Sequence, residues 1–169
     1  MSDHPLTITT DDPRSPEGSA LIRALSDELA ALYPSIDDEG AGDFRPEDVL
    51  VGRAAFVVGR AEGRAVACGA LRPMAEGVCE IKRMFVVADR RGRGHARAVL
   101  AELERLAAAM GYSTARLETG SKQAEAVRLY EGAGYRRIAK YGIYVDNPWS
   151  ICFEKALTPQ DGAPASACL

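Results

Sequence analysis

The segment from Glu80 to Met110 constrains the fold most, because it has the pattern of a strand that passes through a turn into a helix. Residues 80–87 are rich in β-branched and aromatic residues, which is typical of a strand. Residues 88–93 are polar and rich in arginine, and from Gly94 onward the apolar residues follow helical spacing. Such a helix start has free backbone N–H groups and a partial positive charge from the helix dipole. The segment therefore predicts a seat for a phosphate group.

This turn has three other interpretations, and two of them conflict with the rest of the chain. A dinucleotide site would need the pattern G-x-G-x-x-G, of which only Gly92 and Gly94 are present, and no acidic ribose ligand follows at the expected position. A nucleic-acid patch would fit the local arginines, but the whole chain has a formal net charge of −3. The third interpretation, a solvated basic helix start that binds nothing, stays open on these residues alone.

Two motifs in this chain resemble those of the GNAT family of N-acetyltransferases. The residues Arg91-Gly92-Arg93-Gly94-His95-Ala96 fit that family's signature, [Q/R]-x-x-G-x-[G/A], and the preceding strand residues 84–87 resemble its central strand. Downstream, the segment from Gln123 to Tyr135, with Ala126, Leu129, Tyr130 and Gly134 between them, is similar to the family's second motif. The resemblance covers roughly residues 50–155.

The resemblance implies acetyl-CoA as co-substrate and no metal. Backbone N–H groups of the turn would hold the pyrophosphate, and the backbone of the preceding strand would line the pantetheine arm. One of the strand amides would also polarise the acetyl carbonyl. The implied cofactor-binding residues are Met84, Phe85, Val86, Val87, Arg91, Gly92, Arg93, Gly94, His95, Ala96, Gln123 and Tyr130.

The same resemblance implies two catalytic residues. Tyr130 occupies a position where many members of the family keep a tyrosine near the cofactor sulfur, and its phenol could protonate the leaving thiolate. Its alternative role is a packed helix aromatic. Glu80 stands where several members have the general base, although it could instead pair with Lys82, Arg83 or a neighbouring strand. Glu118 on the next strand is the reserve candidate for the base.

The acceptor is the least constrained part of the reaction. We expect a primary amine of a small molecule or peptide, and a non-catalytic acyl-CoA sensor of the same fold is the alternative function. The acidic run Asp37-Asp38-Glu39 would suit a cationic acceptor, although a solvated loop is the simpler explanation. Candidate substrate-binding residues are Tyr33, Phe44, Arg83, Glu118 and Tyr141.

The order of the elements predicts the fold class. A strand at 5–10 precedes a helix that starts at Ser15-Pro16-Glu17 and is stopped by Pro34. There follow a short helix near Pro46–Leu50, a hairpin of strands 54–58 and 64–71, a turn at Pro73–Gly77, a strand at 78–87, a helix at 94–110, a strand at 115–119, a helix at 123–133, and strands at 135–138 and 149–155. This order predicts an α/β fold with a mixed, mostly antiparallel sheet and helices on both faces. The resemblance adds two central strands that splay apart to admit the coenzyme.

Length and composition predict one domain over residues 1–157 and a flexible tail over 158–169. The acidic balance and the lack of a long apolar run predict neither a nucleic-acid nor a membrane partner, and a homodimer is left open. Cys68, Cys79, Cys152 and Cys168 have neither paired spacing nor a metal-ligand pattern with His4 and His95. We therefore expect reduced cysteines and a cytoplasmic location.

Overall fold

One seven-stranded sheet organises the computed structural model, which describes residues 5–34 and 44–159. The strands are β1 (Thr7–Thr10), β2 (Ala55–Ala61), β3 (Arg64–Ala75), β4 (Val78–Val86), β5 (Thr114–Gly120), β6 (Arg136–Ile138) and β7 (Ser150–Ala156). The helices are α1 (Pro16–Leu32), α2 (His95–Ala109) and α3 (Ala124–Gly132), with short 3₁₀ helices at Pro46–Val49, Ala88–Arg90 and Gly142–Tyr144. The strand order is β1-β2-β3-β4-β5-β7-β6. Within the described residues only β4 and β5 pair in parallel, which confirms the predicted mixed, mostly antiparallel sheet.

The two central strands separate partway along their length. The pairing of β4 with β5 covers Val78–Ile81 against Thr114–Leu117, although both strands continue beyond it. Beyond that point β5 stays paired with β7 and β4 stays paired with β3. The splay that the family resemblance implies is therefore present, and it opens a gap in the middle of the sheet.

Helix α1 begins as its sequence predicts. The Ser15 hydroxyl accepts a hydrogen bond from the Gly18 N–H at 3.0 Å, and Pro16 takes the first helical position, where no N–H is needed. The helix ends at Leu32, two residues before Pro34. Leu21 and Leu25 of this helix pack against the sheet, and Leu25 and Leu29 border the gap described below.

Helices cover both faces of the sheet, as predicted. Val58 of β2 packs in a cluster with Leu21 and Leu25 of α1, whereas its neighbour Val57 packs in a second cluster with Leu103 of α2. Consecutive strand residues point to opposite faces, so α1 lies on one face and α2 on the other. Tyr130 of α3 belongs to the α2 cluster. Tyr130 is buried, while Ala126 and Val127 of the same helix and its C-cap Ala133 are half-buried.

The predicted turn at Pro73–Gly77 is wrong in its first half. Strand β3 continues to Ala75, with Pro73 opposite Cys79 of β4. Proline is tolerated there because β2 pairs with β3 only as far as Leu71, so the missing N–H faces no partner strand. A register shift between Pro73 and Ala75 marks the irregularity, and the turn itself is limited to Glu76 and Gly77.

Several predictions concern residues outside the described ranges. These are His4, the acidic run Asp37-Asp38-Glu39, Cys168 and the tail beyond Pro159. The domain boundary at 157 stays a prediction, although the buried side chain of Leu157 belongs to the α2 cluster. Among the helices of residues 5–34 and 44–159, none is long and apolar enough to cross a membrane.

Candidate active site

The start of α2 has the backbone of an anion-binding turn. Gly92 and Gly94 have positive φ angles of 74° and 80°, which glycine adopts without steric cost. A Cβ built on either residue would meet no atom of the described chain within 4 Å. Gly94 is the N-cap of α2, and among the described residues no side chain caps the free N–H groups there. The turn therefore presents backbone donors to open space, which fits a phosphate group.

The arginines of this turn differ in their surroundings. Arg91 donates from Nε to the Val86 carbonyl oxygen at 2.9 Å and forms an ion pair with Glu28 of α1 at 2.5 Å. Arg93 is exposed, whereas His95 is buried. Arg91 therefore links the turn to β4 by a hydrogen bond and to α1 by an ion pair.

A cavity of about 320 Å³ lies where β4 and β5 separate. Residues of β4, β5, α1, α3 and the segment before β7 line it. The lining residues are Leu25, Ser26, Leu29, Ala30 and Tyr33 of α1 and its end, Ile81, Lys82, Arg83 and Met84 of β4, Glu118, Thr119 and Gly120 of β5, Gln123, Ala126 and Tyr130 at α3, and Asn147 and Trp149.

A bulge interrupts β4 where the strand borders the cavity. The register of β3 with β4 shifts between Cys68 and Ala70, and Arg83 has a positive φ of 58°. Lys82, Arg83 and Met84 all line the cavity at this bulge. A non-glycine residue in this conformation is strained, and such strain is concentrated at functional sites.

Glu118 stands at the point of separation. The last paired residues are Ile81 and Leu117, so Lys82 and Glu118 are the first residues beyond the pairing, and both line the cavity. Glu118 accepts a hydrogen bond from the Ser150 hydroxyl at 2.8 Å. Burial raises the pKa of this carboxyl, and Ser150 and Lys82 act in the opposite direction. A carboxylate with a raised pKa in a cavity can accept a proton near neutral pH.

Tyr130 reaches the cavity from the α3 side. The residue is 5% exposed, and its ring lies 5.9 Å from that of Tyr135 and 6.0 Å from that of Phe153. Burial raises the pKa of the phenol above its ordinary value, with a smaller contribution from Glu118. The hydroxyl therefore stays protonated at neutral pH and can act as a proton donor.

Glu80 does not line the cavity, and both of its carboxylate oxygens accept hydrogen bonds. Its Oε1 accepts two hydrogen bonds from Arg72, at 3.0 and 2.7 Å, and its Oε2 accepts one from the Tyr141 hydroxyl at 2.8 Å. Arg72 also donates to Asp48 at 2.8 Å. The Glu80 residue is 4% exposed. This network joins β3, β4 and the segment before β7.

An aromatic pair forms the cavity wall nearest to α1. The rings of Tyr33 and Trp149 lie 6.2 Å apart, and the Lys122 ammonium lies 4.5 Å from the Trp149 ring centre and 5.3 Å from that of Tyr33. The Tyr33 hydroxyl oxygen accepts a hydrogen bond from the backbone N–H of Lys122 at 3.1 Å. Tyr33 can approach this closely because residue 120 is glycine, since a Cβ there would lie 1.9 Å from the Tyr33 hydroxyl oxygen.

We therefore expect Gly120→Ala to destabilise the protein by about 1–3 kcal/mol, because the added methyl group must displace a buried ring. Urea denaturation measures the change. Gly52→Ala is the matched control, since a Cβ there meets no described atom within 4 Å. Equal stability of the two variants would contradict the close approach of Tyr33.

The cavity brings together part of the predicted site. Of the predicted residues, Tyr33, Arg83, Met84, Glu118, Gln123 and Tyr130 line it, whereas Phe44, Glu80, Phe85, Val86, Val87 and Tyr141 do not. Gln123 accepts a hydrogen bond from the Gly120 N–H at 3.0 Å through its side-chain oxygen. The predicted site residues do not include Lys82, Asn147, Trp149 or the α1 residues before Tyr33. An amphipathic helix pattern does not identify the cavity that the helix faces. Within residues 5–34 and 44–159, no group of three or more His, Cys, Asp or Glu side chains could hold a metal ion.

Comparisons with known proteins agree on one family. The model of the acetyltransferase (GNAT) family matches residues 19–135. An IAA acetyltransferase from Azospirillum brasilense is 34% identical over 153 residues, which are 90% of this chain and 98% of that protein. A solved structure from Klebsiella pneumoniae, assigned as an acyl-CoA N-acyltransferase, is 31% identical with a TM-score of 0.74 and covers 90% of this chain and 98% of its own. A GNAT acetyltransferase from Elizabethkingia anophelis, solved with acetyl-CoA bound, is 18% identical with a TM-score of 0.65, and the match covers 90% of this chain and 98% of that one.

Proposed function

Because this chain belongs to the acetyltransferase (GNAT) family and is an N-acetyltransferase, we propose that it moves the acetyl group of acetyl-CoA directly to a primary amine of a small molecule or peptide in a ternary complex. The observation that carries this proposal is the adjacency of two features. An anion-binding turn begins α2, and the strand that leads into it borders a cavity opened by the separation of β4 from β5.

The cofactor is proposed to lie along β4, with its pyrophosphate on the turn. Backbone N–H groups at Gly92, Gly94 and the first residues of α2 would bind the phosphates, since glycine leaves room for close approach. The pairing of β4 with β5 covers Val78–Ile81, and we propose that the pantetheine arm and the acetyl carbonyl bind to the β4 backbone beyond it. That the Elizabethkingia anophelis protein binds acetyl-CoA supports the same assignment.

The chemistry requires two proton transfers. The amine nitrogen forms a bond to the acetyl carbon, and the bond from that carbon to sulfur breaks. We propose that Glu118 takes the proton lost by the amine and that Tyr130 gives a proton to the departing thiolate. The products are the N-acetylated acceptor and coenzyme A, and bulk water restores both side chains to their starting states.

Glu118 suits the base role better than Glu80 on two grounds. It lines the cavity, and burial raises its pKa above the ordinary range. Glu80 is buried outside the lining and is held by Arg72 and Tyr141, so its carboxylate oxygens are already occupied. Glu80 as the base remains the competing prediction.

Gly94→Glu tests the cofactor seat. We expect acetyl-CoA affinity to fall at least about 100-fold, because a side chain and a negative charge both enter the proposed pyrophosphate position. Isothermal titration calorimetry measures the affinity. Gly63→Glu is the matched control, because Gly63 has a nearly equal φ of 77° and equally open space, but lies at the turn between β2 and β3.

Both outcomes of that titration are informative. Loss of binding in Gly94→Glu with normal binding in Gly63→Glu supports the seat. Unchanged affinity in a folded Gly94→Glu variant would remove the basis for the cofactor assignment. Sustained thiol release in the presence of amines separates the enzyme from a non-catalytic acyl-CoA sensor.

A cytoplasmic location is also proposed. Among the described residues, Cys68, Cys79 and Cys152 are buried free thiols. Burial raises the pKa of Cys68 and that of Cys79 to about 12, so these side chains behave as small apolar groups. Unpaired cysteines are typical of a reducing compartment.

A further inference from the structure

A buried serine lies next to the proposed base, Glu118. Ser150 is the first residue of β7 and is 4% exposed. In the pairing of β5 with β7, Gly120 lies opposite Ser150 and Glu118 lies opposite Cys152. Ser150 and Glu118 are therefore diagonal neighbours on the same face of the sheet, close enough for their side chains to meet. The Ser150 hydroxyl donates a hydrogen bond to Oε1 of Glu118 at 2.8 Å.

The turn before β7 fixes the backbone at Ser150. The Asn147 side-chain oxygen accepts a hydrogen bond from the Trp149 N–H at 2.9 Å, and the Asn147 carbonyl oxygen accepts one from the Ser150 N–H at 3.2 Å. Asparagine favours such a turn, because its side chain can bond a backbone group two residues later. The Trp149 carbonyl oxygen accepts a hydrogen bond from the Ser121 N–H at 2.7 Å, just after β5. These backbone contacts do not involve the Ser150 hydroxyl, so alanine at this position should leave the turn in place.

The hydroxyl of Ser150 supports the ionised form of Glu118. Among the described residues, Ser150 is the one that donates a hydrogen bond to this carboxylate. Burial raises the pKa of Glu118, and the hydrogen bond from Ser150 opposes that rise more strongly than Lys82 does. Lys82 also donates to the Tyr144 hydroxyl. The titratable groups that face Glu118 are Lys82 and Glu80 of β4, Tyr130 of α3, Tyr33 after α1 and Cys152 of β7.

We propose that Ser150 is a positioning residue for acetyl transfer: its hydroxyl holds Oε1 of Glu118, so that Oε2 faces the acceptor nitrogen in the cavity. This inference rests on the proposed function, in which Glu118 is the base. In the step itself the acceptor nitrogen bonds to the acetyl carbon and the thioester C–S bond breaks. Oε2 takes the proton that the nitrogen loses, and Tyr130 protonates the departing sulfur. A carboxylate held in one orientation is already in the geometry that proton transfer needs.

Carbon-13 NMR of the glutamate side-chain carboxyl groups tests the contact without any acceptor. The Glu118→Gln variant identifies the Glu118 signal by its absence. We expect Ser150→Ala to move the titration midpoint of Glu118 to higher pH by about one pH unit, because a hydrogen bond to the ionised carboxylate is lost. Ser113→Ala is the matched control and should leave the midpoint unchanged, since the Ser113 hydroxyl bonds the Gly77 carbonyl oxygen at 3.2 Å, at the other end of β5.

The pH–rate profile tests whether this contact matters for the reaction. Phenethylamine, a primary amine without a second charged group, is the probe acceptor, and thiol release from saturating acetyl-CoA gives the rate. We expect the acid limb of Ser150→Ala to move to higher pH together with the Glu118 midpoint, because only the ionised carboxylate accepts a proton. Above that limb kcat should be about tenfold lower than in the unchanged protein, while KM for acetyl-CoA stays the same.

A double variant separates positioning from packing. In the Glu118→Gln background there is no carboxylate for Ser150 to orient. Adding Ser150→Ala to that background should therefore change kcat by less than about twofold. A merely structural role of Ser150 would lower kcat by the same factor in both backgrounds.

The outcomes distinguish this inference from the proposed function. An unmoved Glu118 midpoint in Ser150→Ala would overturn the positioning role while the N-acetyltransferase assignment stands. An unmoved acid limb in an active Ser150→Ala variant, or an equal loss of kcat in both backgrounds, would also overturn it. If the unchanged protein releases no thiol with phenethylamine or any other amine, the proposed function fails, and the positioning role fails with it.

Discussion

Tyr130→Phe is expected to lower kcat by roughly 10²–10⁴-fold while the melting temperature stays close to that of the unchanged protein. The substitution keeps the buried ring, with its edge contact to Tyr135 and its tilted contact to Phe153, and it removes only the hydroxyl. Without this proton donor, the thiolate of coenzyme A must leave unprotonated or take its proton from another source. Steady-state thiol release and a thermal melt measure the two quantities.

The pKa of the Tyr130 phenol determines how the loss of kcat in Tyr130→Phe depends on pH. Burial raises the pKa of Tyr130 above its ordinary value, so the hydroxyl is protonated throughout the usual assay range. The ratio of the two kcat values should therefore be nearly constant from about pH 6 to pH 9. A ratio that approached one at low pH would mean that solvent can protonate the thiolate directly.

Tyr135→Phe is the matched control for Tyr130→Phe. Its ring packs against Tyr130, and its residue is 4% exposed, but it does not line the cavity. We expect its kcat to match that of the unchanged protein. If Tyr130→Phe also retained normal kcat, Tyr130 would be a packing residue and the thiolate would take its proton from elsewhere.

The parts of the site that the sequence predicts are those encoded in consecutive residues. A turn with two glycines between a strand and an amphipathic helix can be recognised locally, and it folds as predicted because both glycines adopt positive φ. The N-terminus of α1 is predicted for the same reason, since the Ser15 cap and Pro16 act within one helical turn.

The remaining parts depend on contacts between distant segments. The Arg72–Glu80 ion pair arises from the register of β3 with β4, and Tyr141 joins it from the segment before β7. Nor does the sequence around Arg83 contain a glycine that would indicate a bulge. The preference for Glu80 over Glu118 as the base came from the family resemblance, and it stays a prediction beside the competing one for Glu118.

Separate Glu118→Gln and Glu80→Gln variants should differ in what they lose. An alkyl amine with a pKa of about 10.4 is protonated at pH 7, and reaching its reactive free base costs about 3.4 pKa units, or about 4.6 kcal/mol. A base in the cavity offsets that cost by accepting the proton. We therefore expect Glu118→Gln to lower kcat at pH 7 by roughly 10²–10⁴-fold, with acetyl-CoA affinity unchanged.

The pH–rate profiles of the unchanged protein and of Glu118→Gln should differ on the acidic side. In the unchanged protein, activity should fall as pH drops through the pKa of Glu118, which burial raises above the ordinary range, because only the ionised carboxylate accepts a proton. Glu118→Gln should lose that limb. Its rate should instead rise about tenfold per pH unit toward the pKa of the amine, as free base becomes abundant.

Glu80→Gln should mainly lose stability. It leaves the Arg72 guanidinium with a neutral amide in a buried network, and weakening one partner of a buried ion pair costs about 3 kcal/mol. Its pH–rate profile should overlay that of the unchanged protein at a temperature where the variant is folded. If Glu80→Gln loses the acid limb while Glu118→Gln keeps it, Glu80 is the base and the Arg72 pair must open when the acceptor binds. If both variants keep the limb, neither carboxylate takes the proton, and the acceptor reaches the cavity already neutral.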